Sequence, residues 1–229
     1  MNFKRARNEE QRTERRLQIL ETAAAMLAEM PVAKLSLNEL SRRVGLAKVN
    51  VLRYFDSREA VLLQLLDTEI QDWIAELERS FHPNEGTPRE RGDRLAEILA
   101  ESMAQRPVLC DLISAQAAVL EHNISTEVAI RHKYAAKHSM QALVQLVLRH
   151  VPELGAHGAP RVVEVTLLMA TAAWPCGRPS EAMLAAYASD PALAAMRLDF
   201  TKVMRRTVEV TISGLLTRQK EPTSASPRP

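Results

Sequence analysis

Ser36-Leu37-Asn38-Glu39-Leu40-Ser41-Arg42-Arg43-Val44-Gly45-Leu46-Ala47-Lys48-Val49-Asn50-Val51-Leu52-Arg53-Tyr54-Phe55 reads as two short helices joined by a tight turn. Ser36 and Glu39 make a capping-box pattern, in which the hydroxyl accepts from an early amide and the carboxylate reaches back. Gly45 comes soon after and supplies the left-handed conformation that ends the first of these helices. Ala47 to Phe55 predicts the second. Leu37, Leu40, Val44, Val51 and Phe55 can bury a small core, which leaves the opposite face of the second helix free. On that helix Lys48 and Leu52 stand one turn apart, as do Val49 and Arg53, with Asn50 at the edge. Lys48, Asn50 and Arg53 can donate to phosphates or base edges, and Val49 can touch a thymine methyl. A plain helical hairpin with solvated charges has the same spacing.

Upstream, Leu17, Leu20, Ala24 and Leu27 recur at helical spacing, predicting a helix over 12–30 that Pro31 stops. Three helices in this order make a tri-helical head with a helix-turn-helix. Charge follows the same division. The first sixty residues carry twelve Lys/Arg against eight Asp/Glu, and the rest eighteen against twenty. A basic head on a mildly acidic body suits a polyanion-binding end, although chance placement on solvated faces gives the same count.

The whole chain has 229 residues, 46% hydrophobic and 25% charged, the balance of a globular protein. Seven glycines and 4% aromatics argue against a β-sandwich or a Gly-rich nucleotide fold. Beyond the head, Asp56-Ser57 opens a long helix to about residue 81, with Leu62, Leu66, Ile70, Trp73 and Leu77 on one face. A loop over 82–92 follows, then helices near 93–105, 107–121, 125–150, 161–174, 181–188 and 192–217, the fourth of these ended by Pro175. With no credible strand, the fold reads as all-α.

Two cysteines build neither a disulfide framework nor a zinc site. His132 and His138 lie about 240° apart around a helix, so no metal is expected. No nucleophile elbow, metalloprotease motif or phosphate loop is present, so neither catalysis nor a cofactor is expected. The apolar run near 162–174 is too short to span a membrane, the N-terminus lacks a signal core, and a cytoplasmic location follows as the expectation.

The segments Arg16-Leu17-Gln18-Ile19-Leu20-Glu21-Thr22-Ala23-Ala24, Leu35-Ser36-Leu37-Asn38-Glu39-Leu40, and Val44 through Phe55 followed by Ser57-Arg58-Glu59-Ala60 resemble the head of one family. It is the tetracycline-repressor (TetR/AcrR) family of bacterial transcriptional regulators. Its recognition segment runs roughly Gly-Val-Ser-Lys-Gly-Thr-Leu-Tyr-x-His/Tyr-Phe-x-Ser-Lys-Glu. The resemblance implies a homodimer that binds a near-palindromic double-stranded DNA operator, with a larger C-terminal part for dimerisation and for a small-molecule effector. The expected organisation is a flexible basic arm (1–11), a helix-turn-helix domain (12–58), a helical ligand-binding and dimerisation domain (59–218) and a disordered tail (219–229).

On this resemblance Ser36, Lys48, Arg53, Tyr54 and Arg58 are candidates to hold phosphates, beside Val49 and Asn50. Two positions depart from the pattern. Ala47 replaces a small hydroxyl residue, removing a cap worth ~1 kcal/mol. Leu52 replaces a tyrosine that contacts phosphate in relatives, and can instead touch bases or sugars. These departures keep open a competing reading, a helical small-molecule-binding protein or enzyme that retains the helix-turn-helix without binding DNA. Trp73, Met103, Cys110, Tyr134, His138 and Trp174 are candidates to line an effector pocket, or simply core. Val165, Met169 and Ala172 on one helix, and Phe200, Val203, Thr207 and Val210 on the last, are candidates for a dimer interface or for their own core.

Overall fold

Gly45 adopts the left-handed conformation, with φ 74° and ψ 28°. Its N–H bonds to the Arg42 carbonyl at 3.2 Å and the Leu46 N–H to the Ser41 carbonyl at 3.0 Å, a paired closure that satisfies the last carbonyls of the helix before it. That helix is α2 (Leu37–Val44), started by Ser36 Oγ accepting from the Glu39 N–H at 3.2 Å. The computed structural model describes residues 2–80 and 85–219, and every regular element among them is helical. The expected loop is described only from residue 85, and of the expected tail only Gln219 lies within the described residues.

The described chain divides into two units. The first comprises residues up to Trp73 together with Arg106–His138, and the second Ile74–Gln105 together with residues from Ser139 onward. Helices α4 (Arg58–Ser80) and α7 (Thr126–His150) therefore each begin in the first unit and end in the second. This partition cuts later than the boundary expected after residue 58, because the start of α4 is apolar on nearly every side. Val61, Leu62, Leu63, Leu65 and Leu66 are all buried.

In the first unit α1 (Asn2–Glu29) extends through the stretch read as an arm, where no proline or glycine interrupts the helix formers. Its buried stripe is Ile19, Leu20, Ala23, Met26 and Leu27, with Leu17 52% exposed, so the helix is rotated from the expected register. A short 3-10 turn, Val32–Lys34, leads into α2. Helix α3 (Lys48–Val51) is shorter than the nine residues expected. It continues as tight turns in which Arg53 N–H donates to the Asn50 carbonyl and Tyr54 N–H to the Val51 carbonyl. Leu40, Val44, Val51 and Phe55 are buried as expected, and Leu37 is half-buried. Helix α6 (Pro107–Ala115) ends in a π-helical turn, Gln116–Leu120.

In the second unit α5 (Pro88–Ala104) starts within the expected loop, because Thr87 and Glu90 form a reciprocal capping box ahead of the first-turn Pro88. Helix α8 (Gly155–Gly177) is longer than expected at both ends and contains Pro160 and Pro175. Pro160 lies in the second turn and Pro175 in the last, so each deprives the carbonyl four residues before it of its helical donor. The last helix is interrupted. After α9 (Glu181–Ser189), the stretch expected as one helix over 192–217 forms α10 (Pro191–Ala194) and then, starting anew, α11 (Phe200–Gln219). Asp199 Oδ1 accepts from the Lys202 N–H at 3.0 Å and caps that new start. α11 packs on α5 and α8. The approach is close at Gly92, where a Cβ would come within 2.6 Å of Ile212 Cγ2.

Candidate nucleic-acid interface

The head presents one side of α3 outward because the other side is consumed by its core. Val51 and Phe55 are 0% and 3% exposed, whereas Val49 is 61% and Leu52 39% exposed. Lys48 and Arg53 are exposed as well, and Asn50 is half-buried at the edge. Two cations and two apolar side chains thus share a surface that can meet phosphates, sugars and base edges. Ala47 occupies the N-cap with extended φ and ψ (−64°, 144°) and no side-chain cap hydrogen bond.

The neighbouring candidates have distinct partners. Ser36 is used as an acceptor in capping α2, which leaves its hydroxyl proton to donate outward. Arg58 is turned inward: Nη1 donates to the Leu35 carbonyl at 3.0 Å and Nε to Glu59 Oε1 at 3.0 Å. Tyr54 is half-buried, and its carbonyl accepts from Arg16 Nη1. Glu39 is clamped by Arg42 and Arg43, and hydrogen bonds from first the one and then the other hold its carboxyl down at about 2.

Arg16 is a residue the sequence reading passed over. It donates also to Gln64 Oε1 on α4, and its guanidinium lies 4.2 Å from the centroid of the Phe55 ring. Burial first, then the charges of Arg131 and Arg12, push its pKa down. Three and four residues before Ile19 and Leu20, it stands on the buried face of α1, a signal present in the register itself. A groove of about 540 Å³ beside it is lined by four guanidiniums, Arg12, Arg16, Arg53 and Arg131, against the carboxylates of Glu9 and Asp56.

A second feature also escaped the sequence. His132, 3% exposed, has Nδ1 2.8 Å from Asp67 Oδ1 and Nε2 3.2 Å from Gln116 Nε2. Gln116 donates on to Glu121 Oε1 at 2.8 Å, and Lys133 Nζ to the same oxygen at 2.7 Å. This chain ties the π-helical turn to α4 and α7. Gln116, Glu121 and His132 are far apart in sequence or lie in a turn, so no periodicity reveals them.

The effector candidates are drawn from both units. Trp73, Cys110, Tyr134 and His138 belong to the first unit, and Met103 and Trp174 to the second. Trp73, Met103 and Cys110 are fully buried, whereas Tyr134 is 61% exposed and His138 is exposed. Trp174 meets Phe200 edge-on at 5.0 Å and Arg178 at 5.1 Å. Of the interface candidates, Phe200 is therefore committed to the core of its own unit. Val165, Met169, Val203 and Thr207 are half-buried, and Ala172 and Val210 are exposed. Among the described residues, no helix is long and apolar enough to cross a membrane, and no group of three or more metal-ligating side chains assembles.

Comparison with known proteins places this geometry. Residues 19–65 match the family described as "Bacterial regulatory proteins, tetR family", and residues 67–219 the one described as "Tetracyclin repressor-like, C-terminal domain". Over 54 residues the chain is 43% identical to the HTH-type transcriptional regulator EthR of Mycobacterium tuberculosis. That stretch is 24% of this chain and spans only 25% of the relative's length. A TetR transcriptional regulator from Rhodococcus sp. RHA1 superposes with a TM-score of 0.59 at 14% identity, covering 91% of this chain and 98% of that one. A transcriptional regulator FadR from Bacillus subtilis, crystallised in complex with stearoyl-CoA, gives a TM-score of 0.51 at 14% identity, covering 86% and 98%. At these identities the structures share the fold.

Proposed function

The chain belongs to the tetracycline-repressor family of bacterial regulatory proteins, and from that premise we propose that it is an effector-responsive repressor acting on operator DNA as a homodimer. Membership makes it a regulator with a DNA-binding helix-turn-helix and not an enzyme. The single observation that supports the reading best is the division of α3 and the turns that follow it to residue 55, with Val51 and Phe55 buried and Lys48, Val49, Leu52 and Arg53 outward.

In this reading α3 enters a major groove. Lys48, Arg53 and the Ser36 hydroxyl meet phosphates, while Val49, Asn50 and Leu52 face base edges or sugars. Two heads joined through α8 and α11 would engage half-sites about one helical turn apart, which explains why a near-palindromic operator is expected. An effector acts by favouring a dimer whose heads no longer match that separation. The bound stearoyl-CoA of the Bacillus subtilis regulator supports a small-molecule effector here without naming it. The protein would act where the chromosome is, in the cytoplasm.

The test is to retain sheared genomic fragments on the full chain, sequence them, and measure gel shifts on the recovered DNA at several salt concentrations. Salt-dependent retention of fragments sharing a near-palindrome is expected. Absence of any salt-dependent binding would instead favour a helical binding protein that keeps the head without using it on DNA.

A further inference from the structure

The first unit holds a cleft with two arginines in its lining that DNA recognition does not require. It lies among α1, α4 and α7, has a volume of about 370 Å³, and is lined by Arg16, Gln64, Gln71, Arg131 and His132 among others. Arg16 is half-buried there, and its partners are all neutral: the Tyr54 carbonyl, the Gln64 amide oxygen and the Phe55 ring. Arg131 has no ion pair among the described residues. Burial first, then the charges of Arg131 and Arg12, weaken the hold of Arg16 on its proton, and Asp56 opposes them with the smallest effect of the four. Two carboxylates, Asp56 and Asp67, line the cleft as well, and the charge of Asp56 acts on Arg16. Asp67 is bonded to His132 at 2.8 Å, and Asp56 accepts from Ser125 Oγ at 3.1 Å.

Two guanidiniums near enough to repel one another, Arg16 half-buried and Arg131 exposed, line one cleft. Asp56 offsets the charge at Arg16 less than the two neighbouring arginines add to it, so a further anion stabilises the arrangement. The planar donor fork of arginine matches the two oxygens of a carboxylate or a phosphate. The volume is that of a small-ligand pocket. We propose that this cleft binds a small anion bearing a carboxylate or phosphate, held by Arg16 on one side and Arg131 on the other. Arg16 also holds the carbonyl of Tyr54, at the end of the recognition segment, so the occupant and that segment share one side chain. Coupling to DNA through this shared residue rests on the DNA-binding reading, whereas occupancy of the cleft does not.

The experiment is calorimetric titration of the full chain, free of DNA, with inorganic phosphate and separately with succinate, both dianions in mildly alkaline buffer. Ionic strength is held constant with sodium chloride. Saturable binding of at least one of the two is expected, and the preferred one tells a phosphate-bearing ligand from a carboxylate. Arg131→Ala and Arg131→Gln should each weaken binding by about tenfold or more, the loss of a charge-assisted contact. Arg161→Ala removes the same charge from an exposed site in the second unit and should leave binding unchanged. Circular dichroism establishes that each variant is folded. Heats that appear with neither dianion, or binding that survives both Arg131 substitutions, would overturn the proposal. DNA binding, measured separately without either dianion, distinguishes this failure from that of the regulatory reading.

Discussion

The guanidinium of Arg16 lies 4.2 Å from the ring centroid of Phe55, joining the middle of α1 to the end of the recognition segment. The same side chain donates to the Tyr54 carbonyl and to Gln64, so one residue fastens three elements of the first unit. Arg16→Ala should therefore destabilise the protein by about 1–3 kcal/mol, the combined loss of a partly desolvated ring contact and two hydrogen bonds. Urea unfolding checks this. The midpoint should fall with an unchanged slope, and a midpoint equal to the wild type would mean that water replaces these contacts at no cost.

Ala47 sits at the N-cap of α3 with extended backbone angles and no side chain to cap it. Ala47→Ser supplies the missing acceptor where the backbone already suits it, and a gain of roughly 0.5–2 kcal/mol is expected. Thermal unfolding followed by circular dichroism should show a higher midpoint. A lower midpoint would mean that the serine takes a competing hydrogen bond.

Glu39 is held at about 2, below its ordinary 4.5, by hydrogen bonds from Arg42 and then Arg43. A depressed carboxyl contributes stability above the ordinary value and loses it as pH falls through the folded value. The contribution of the clamp to α2 should thus be complete at neutral pH and fade between those two points. A carboxyl-carbon NMR titration should place the Glu39 midpoint near the lower of them, and Arg42→Ala should raise it. A wild-type midpoint at the ordinary value would show that the clamp is not held in solution.

On α11, Phe200 and Val210 call for opposite expectations. Phe200 packs against Trp174, so Phe200→Glu buries an unpaired charge in the subunit core and should cost several kcal/mol of fold stability. Val210 is 64% exposed, so Val210→Glu should leave the fold intact. If two chains join through this face, sedimentation of Val210→Glu gives a monomer where the wild type gives a dimer. A Val210→Glu variant that sediments as an unchanged dimer moves the interface elsewhere.

The head was legible because its signals are local. Ser36, Glu39 and Gly45 act within a few residues of themselves, and the buried pair Val51 and Phe55 sits one turn apart. The longer helices were less so, since Pro160 and Pro175 read as breaks although both lie inside α8 near its ends. Asp199 reads as one more surface charge until it is seen capping α11. Arg16 and His132 were hidden for a different reason. A charged or polar residue is assigned to solvent by composition, so the place of Arg16 in the α1 register goes unread, and partners distant in sequence, Tyr54 and Asp67, show what holds the two side chains.

Fluorescence anisotropy of the full chain on a recovered genomic fragment and on random duplex, at two salt concentrations, tests the central claim most directly. The wild type should prefer the recovered fragment, and its affinity should fall with salt. Lys48→Ala and Arg53→Ala should each weaken binding with the fold intact. Loss of a phosphate contact acts on all sequences alike and reduces the salt slope by about one unit, whereas loss of a base contact relaxes specificity at one position by ~1–3 kcal/mol. Wild-type affinity in both variants on that fragment would contradict the account, because the outward face of α3 would then not be the face that meets DNA.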